Sequence, residues 1–251
     1  MMRLTETVKH LIIINVIFFI ATLVNESMAN TLYSKLSLFY PENPNFGIWQ
    51  FVSSMFMHGN FMHLLFNMLA LATFGSALEY LWGRNRFLIF YFATGIGAGL
   101  IYTLVHYFQF QQTFNSLLEF GMSKADIFNV LQTGSYPSTL EVSISKQDLS
   151  QFYGIFNSPA VGASGALYGV LVAFAFKFPE AELGLMFIPI PIKAKYFVPG
   201  IVALDLILGL SGQSIFGGYG TGIAHFAHVG GALTGYLIML YYQRNQFRRW
   251  N

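Results

Sequence analysis

Cysteine is absent from the 251-residue chain, which excludes disulfides, thiolate metal sites and a cysteine nucleophile but leaves the redox compartment open. Charge is scarce: 10% of residues are charged, against 55% hydrophobic and 18% aromatic, and the mean hydropathy is +0.53. This is the profile of a chain solvated largely by lipid. There is no basic arm, so nucleic acid is not an expected partner, and the formal charge of +2 says little by itself. No internal repeat and no low-complexity tract occurs, and the one polar block is Gln109 to Ser158. The N-terminus carries one Arg before a long apolar run and no small-residue cleavage site after it, so a retained first helix is expected, not a signal peptide.

What is present is long apolar runs, at about Val8–Val24, Met57–Leu78, Phe87–Phe108, Ala160–Phe178, a proline-broken stretch Leu183–Leu210, and Ile223–Tyr242. They predict an all-α polytopic membrane protein of six transmembrane helices, a single domain over 1–251 with 109–158 as a long extracytoplasmic loop between helices three and four. The fifth helix is expected from about Tyr196 to Leu210, with Phe187–Ala194 a loop dipping into the interface, because Ile188-Pro189-Ile190-Pro191 cannot continue a regular helix. Within the polar block an exposed helix is expected over Asn115–Leu131 and a turn at Ser135-Tyr136-Pro137-Ser138. The first outer segment, Asn25 to Phe56, ends in the aromatic stretch Phe46–Phe51, suited to an interface.

Basic residues set the orientation. With the N-terminus inside, Arg3, Lys9, Arg84, Arg86, Lys177, Lys193, Lys195, Arg244, Arg248 and Arg249 are cytoplasmic, ten of the thirteen, against Lys35, Lys124 and Lys146 outside. A bacterial inner membrane with both termini cytoplasmic is the expected location.

Val161-Gly162-Ala163-Ser164-Gly165-Ala166-Leu167-Tyr168-Gly169 opens the fourth run. A helix from Ser164 to Pro179 would rise only ~22 Å, short of the ~30 Å hydrocarbon thickness, so it must begin inside the membrane. Ser164 then sits at a helix N-terminus whose free N–H groups and positive dipole suit an attacking hydroxyl and an oxyanion. The bland alternative is that small residues here only let helices approach.

In the second helix His63 and Asn67 lie four residues apart on one face, close after His58. In the sixth, His225 and His228 precede a glycine face at Gly231 and Gly235 that would let this helix approach the fourth. His58, His63, Ser164 and His228 share the outer depth. Each buried polar group is costly unless partnered, so three such clusters on three helices point to a site. The chemistry reads as acyl transfer: Ser164 the nucleophile, His228 the general base, Tyr168 stacked on the imidazole, and His63, Asn67 and the Ser164 backbone N–H an oxyanion hole. An Asp is not needed in principle, and Asp205 in the fifth helix is as easily a packed polar group as a functional one. A metal-dependent hydrolase is disfavoured, because His58–His63 lacks the HExxH spacing and its Glu; paired-carboxylate chemistry finds only Asp205 and Glu79. No cofactor or metal is expected.

Gly162-Ala163-Ser164-Gly165 with Tyr168, His58 and His63 with Asn67, Ala227-His228-Val229-Gly230-Gly231 with Gly235, and Phe74-Gly75-Ser76-Ala77-Leu78-Glu79 occur in an order that resembles the rhomboid family of intramembrane serine proteases. The resemblance covers roughly Val8 to Tyr242 apart from Gln109–Ser158. It implies a six-helix rhomboid-like bundle, a Ser164–His228 dyad, and Ala163, His58, His63, Asn67, Tyr168 and His225 as active-site support, His225 lining the cavity. It also implies a single-pass transmembrane protein as substrate, cut near the outer end of its helix in the lipid bilayer. Where many relatives carry Trp-Arg in the first outer loop, this chain has Trp49-Gln50. The alternative is a catalytically inactive rhomboid-like factor for membrane-protein binding or quality control; a small transporter lacks the inverted repeat it would need.

Overall fold

In the computed structural model, which describes residues 4–137, 140, 144–185, 188–211 and 222–247, the apolar runs become helices whose large side chains face outward as often as inward. In chain order these are α1 (Glu6–Thr22), α2 (Glu26–Leu36), α3 (Gln50–Ser53), α4 (Phe61–Ala70), α5 (Ser76–Trp82), α6 (Arg84–Glu119), α7 (Lys124–Thr133), α8 (Lys146–Asn157), α9 (Ser164–Lys177), α10 (Ala194–Ser211) and α11 (Gly222–Phe247). A single π turn, Leu71–Gly75, joins α4 to α5, so Phe61–Trp82 is one helical rod. Ile17, Leu104, Ile207 and Leu237 stand exposed on four different helices, as a lipid-facing surface requires. Among the described residues three helices qualify as membrane spans by length and composition, Phe61–Trp82, Arg84–Glu119 and Ala194–Ser211. The other three runs also form helices at their expected places, α1 with 17 residues, α9 with 14 and α11 with 26.

α9 is the hub. Nine of its residues, from Gly165 to Phe174, are buried, and α6, α10, α11 and the α4–α5 rod all pack on it. Being enclosed by protein it does not need to match the bilayer, which explains its shortness. Small residues set the closest approach: a Cβ on Gly231 would lie 1.8 Å from the Gly165 carbonyl oxygen, and one on Gly235 would lie 2.7 Å from the Gly169 Cα. Any side chain there would push α11 off α9. At the opposite end of the rod, buried Glu79 caps α1, accepting from the backbone N–H of Thr7 at 3.1 Å and of Val8 at 3.0 Å and from the Thr5 hydroxyl. A carboxylate on free N–H groups at the positive end of a helix is a strong local fastener.

The structure corrects several expectations. The Asn115–Leu131 helix is two pieces: α6 runs on through Glu119, the chain turns at Gly121 with φ of 97°, and α7 follows. α6 can leave the lipid unbroken because Phe110, Phe114 and Leu117 keep one apolar face beyond the span. The polar block is therefore no simple loop but a helical cap with its own core, in which Phe110, Phe152, Phe156, Ile127, Leu131 and Leu149 pack together. Helix α8 was not expected, although Ser145 with Asp148, like Ser123 with Asp126, is a helix-starting pair. The first outer segment also holds a helix, α2.

Where a loop was expected over Phe187–Ala194 the chain instead forms the second strand of a hairpin, so the fold is not purely α: β1 (Glu182–Leu185) pairs antiparallel with β2 (Ile188–Lys193), Glu182 opposite Lys193. Prolines 189 and 191 bar a helix yet are tolerated on the edges of a two-stranded ribbon. α10 starts at Ala194, two residues earlier than Tyr196, and holds Pro199 within it. Arg3, Arg248 and Arg249 of the charge count, Ser138 of the expected turn and Phe187 of the expected loop lie outside the described residues.

Candidate active site

Ser164 is the first residue of α9, with Ala163, fully buried, as its N-cap. Its Oγ lies 2.8 Å from His228 Nε2 on α11, a hydrogen-bonding distance that depends on the glycine contact between the two helices. The imidazole is held on two more sides. Its ring stacks on Tyr168, centroids 4.3 Å apart and planes within 8°, and its Nδ1 lies 3.3 Å from Asp205 Oδ1 on α10.

Asp205 is the residue whose part the sequence left undecided. Its buried carboxylate accepts from the Tyr168 hydroxyl on Oδ2 and faces the Nδ1 atoms of both His225 and His228 on Oδ1. One side chain thus gathers three others, from α9 and α11, onto α10. An intramembrane carboxylate is a functional candidate by default, the only signal by which sequence alone pointed to it. His225, expected to line the cavity beside His228, is instead buried against Asp205, its ring 6.4 Å from that of His228. The ligating atoms of Asp205, His225 and His228 all lie within 4.8 Å of one another, a donor set that a divalent ion can use. The hydrogen bonds made by the carboxylate account for the cluster without one.

Across from Ser164, the α4 N-terminus carries the other pair. Asn60 caps α4 by accepting from the His63 backbone N–H at 2.8 Å. His63 packs on Gly162, where a Cβ would come within 2.7 Å of the ring and φ is +119°, so the loop before the serine needs glycine on both counts. Asn67 Nδ2 is buried and makes no hydrogen bond among the described residues. His58 sits in the turn before α4, its ring 5.1 Å from that of His63 and its carbonyl accepting from Tyr33 at 2.6 Å.

The segment entering α9 is pinned to the first outer segment. Leu38 and Ala160 exchange two backbone hydrogen bonds of 2.9 Å, and the Gly162 N–H donates to the Ser54 carbonyl at 2.9 Å. Gln50, in the position where the expected Arg is missing, is fully buried and organises that segment: its Oε1 accepts from Phe39 N–H at 3.1 Å and its Nε2 donates to the Asn45 carbonyl at 2.7 Å. Ser164 and His63 open onto a cleft of about 410 Å³.

A helix N-terminus bearing a hydroxyl joined to an imidazole, enclosed within an apolar bundle, defines a helical membrane protein built around an intramembrane polar site. Residues 45–245 match the model of the Rhomboid domain, and the chain belongs to the rhomboid family. It is similar to the rhomboid protease AarA of Providencia stuartii, 26% identical over 242 residues, covering 92% of this chain and 70% of that protein. It is 30% identical over 185 residues to the presenilin-associated rhomboid-like protein A, mitochondrial, of Danio rerio, covering 73% and 35%. With rhomboid protein 1, mitochondrial, of Saccharomyces cerevisiae the figures are 29% over 140 residues, 56% and 28%. The chain thus spans about a third of the length of these mitochondrial relatives. A bacterial inner membrane was the expectation; two of these three relatives carry mitochondrial names, so the family and the apolar helices support a membrane protein without selecting the membrane.

Proposed function

We propose that this protein is an intramembrane serine endopeptidase that cuts single-pass membrane proteins in or near their transmembrane helix. The observation that carries the reading is the 2.8 Å contact between Ser164 Oγ and His228 Nε2 at the N-terminus of an enclosed helix. In this reading His228 Nε2 takes the Oγ proton as Oγ attacks the scissile carbonyl carbon. The negative charge that develops on the carbonyl oxygen is met by the Ser164 backbone N–H, Asn67 Nδ2 and His63. His228 then returns the proton to the leaving amine, the C–N bond breaks, and an ester to Ser164 remains. Water attacks that ester, gives its proton to His228, and releases the carboxylate product with Ser164 restored.

For Nε2 to accept, the ring proton must be on Nδ1, and Asp205 Oδ1 at 3.3 Å is the acceptor that favours that tautomer. Stacking on Tyr168 fixes the ring plane. The enclosing bundle excludes water from the peptide bond except along the cleft, which strengthens these electrostatic contacts. The six-span count belongs to the same proposal, with α1, α9 and α11 completing the three long spans, as does an orientation in which Ser164 opens to the extracytoplasmic side.

The test is reconstitution of the wild type, Ser164→Ala and His228→Ala in lipid vesicles with a reporter whose transmembrane helix has helix-weakening residues at its outer end. Cleavage by the wild type that is lost in both variants is the expected result. Cleavage by all three would remove Ser164 and His228 from the chemistry. No cleavage, together with no labelling of Ser164 by a fluorophosphonate, would favour an inactive binding relative instead.

A further inference from the structure

The cap over the end of α6 takes no part in the Ser164–His228 chemistry. Its helix α8 faces the same cleft as the reactive serine: Tyr153 and Gly154 line one side, Ser164 and His63 another, with Ala98 and Tyr102 of α6 between. At about 410 Å³ the cleft falls within the ~300–1,000 Å³ usual for ligand pockets, room for a large side chain with its own backbone. Its walls are mainly apolar, relieved by a few hydroxyls.

The cap is built to hold that wall still. Its core is made of the stacked rings of Phe110 and Phe152, 4.5 Å apart, and the aliphatic side chains around them. It is fastened to the first outer segment by Asn43 Nδ2 donating to the Phe156 carbonyl at 2.7 Å, and α8 to α7 by Asn157 Nδ2 donating to the Leu131 carbonyl at 2.8 Å. The end of α8 at Asn157 is seven residues from Ser164, and the segment between is paired to Leu38. A wall placed so close to the nucleophile and so well anchored can discriminate by shape.

We propose that α8 forms one wall of a subsite that receives an apolar side chain of the substrate next to the scissile bond, so that the cap sets cleavage-site preference. This rests on the protease reading above. Gly154 is the position that gives the test its resolution. Gly154 lines the cleft, and a Cβ built there meets no heavy atom within 4 Å, so a larger residue has open space and does not strike the cap core. Tyr153 also lines the cleft, with its ring close to Gly134 at the end of α7, so its truncation loosens that wall.

The experiment compares wild type, Gly154→Ala, Gly154→Trp and Tyr153→Ala in phosphatidylcholine vesicles, with single-span reporters carrying Ala or Phe at each position flanking the cleaved bond. For the Phe reporter at one flanking position, Gly154→Trp is expected to lower kcat/KM at least tenfold more than for the Ala reporter. Gly154→Ala, which adds a single methyl, should shift the Phe-to-Ala ratio in the same direction as Gly154→Trp but by less, and Tyr153→Ala should shift preference toward the larger residue. Fluorophosphonate labelling of Ser164 should be equal in all four. Equal Phe-to-Ala ratios across all four proteins, with Ser164 labelled and cleavage intact, would overturn the subsite and leave the protease reading standing. Absence of both cleavage and labelling in the wild type would overturn both.

Discussion

Asp205 has the most consequential surroundings of any single residue, because its carboxylate faces Tyr168, His225 and His228 at once. If it orients the imidazole, Asp205→Asn, which keeps the shape but can present an N–H to Nδ1, should lower kcat by roughly 10²–10⁴ and leave KM nearly unchanged. Asp205→Glu should recover part of that loss, which a merely structural defect would not. Steady-state cleavage in vesicles measures both. Asn67 offers a buried amide nitrogen without a partner among the described residues, and Asn67→Ala should reduce kcat by about 10²–10³ if that amide meets the oxyanion. The serine, both histidines of the expected pair and Tyr168 could all be picked out from the sequence because their spacing sets them on helix faces. The geometry of Asp205 could not, since it depends on how α10 leans against α9 and α11.

Among the elements, the contact of α9 with α11 is the one on which the site depends. Gly231→Ala would put a methyl into the Gly165 carbonyl, and overpacking of this kind costs about 1–3 kcal/mol. Thermal unfolding in detergent should fall accordingly, and cleavage should fall further still, because the Ser164–His228 distance is set by the same contact. In the first outer segment, Gln50→Ala should cost about 1–3 kcal/mol by leaving the Phe39 N–H and the Asn45 carbonyl buried without their partner. The hairpin offers a pH test. Glu180, exposed beside the prolines, is held down from 4.5 to about 2 by hydrogen bonds from Lys193 and Lys195. A carboxylate lowered in the folded state contributes stability above its unfolded value, which is lost as pH falls through the folded one. The Glu180 carboxyl resonance should therefore titrate near 2, and rise toward 4.5 in high salt, because exposed pairs are screened. The hairpin was missed in the sequence because Ile-Pro-Ile-Pro forbids a helix without specifying a strand, and pairing is a non-local choice.

Among the described residues the apolar clusters gather in two regions, the bundle around α9 and the cap. Phe152→Ala should cost about 3–5 kcal/mol in the cap, visible as faster amide exchange in α7 and α8, while labelling of Ser164 persists. The sequence by itself determined that this is a membrane protein of the rhomboid family, where its apolar helices lie, and which serine, histidines and asparagine are the candidates for a site. It could do so because hydropathy, helical period and motif order are local properties of the chain. Only the tertiary structure decided that the polar block is a packed cap facing the serine, that Asp205 gathers Tyr168, His225 and His228, and that Glu79 caps α1. Each of those depends on residues tens of positions apart being brought together by close helix packing, which no local pattern encodes.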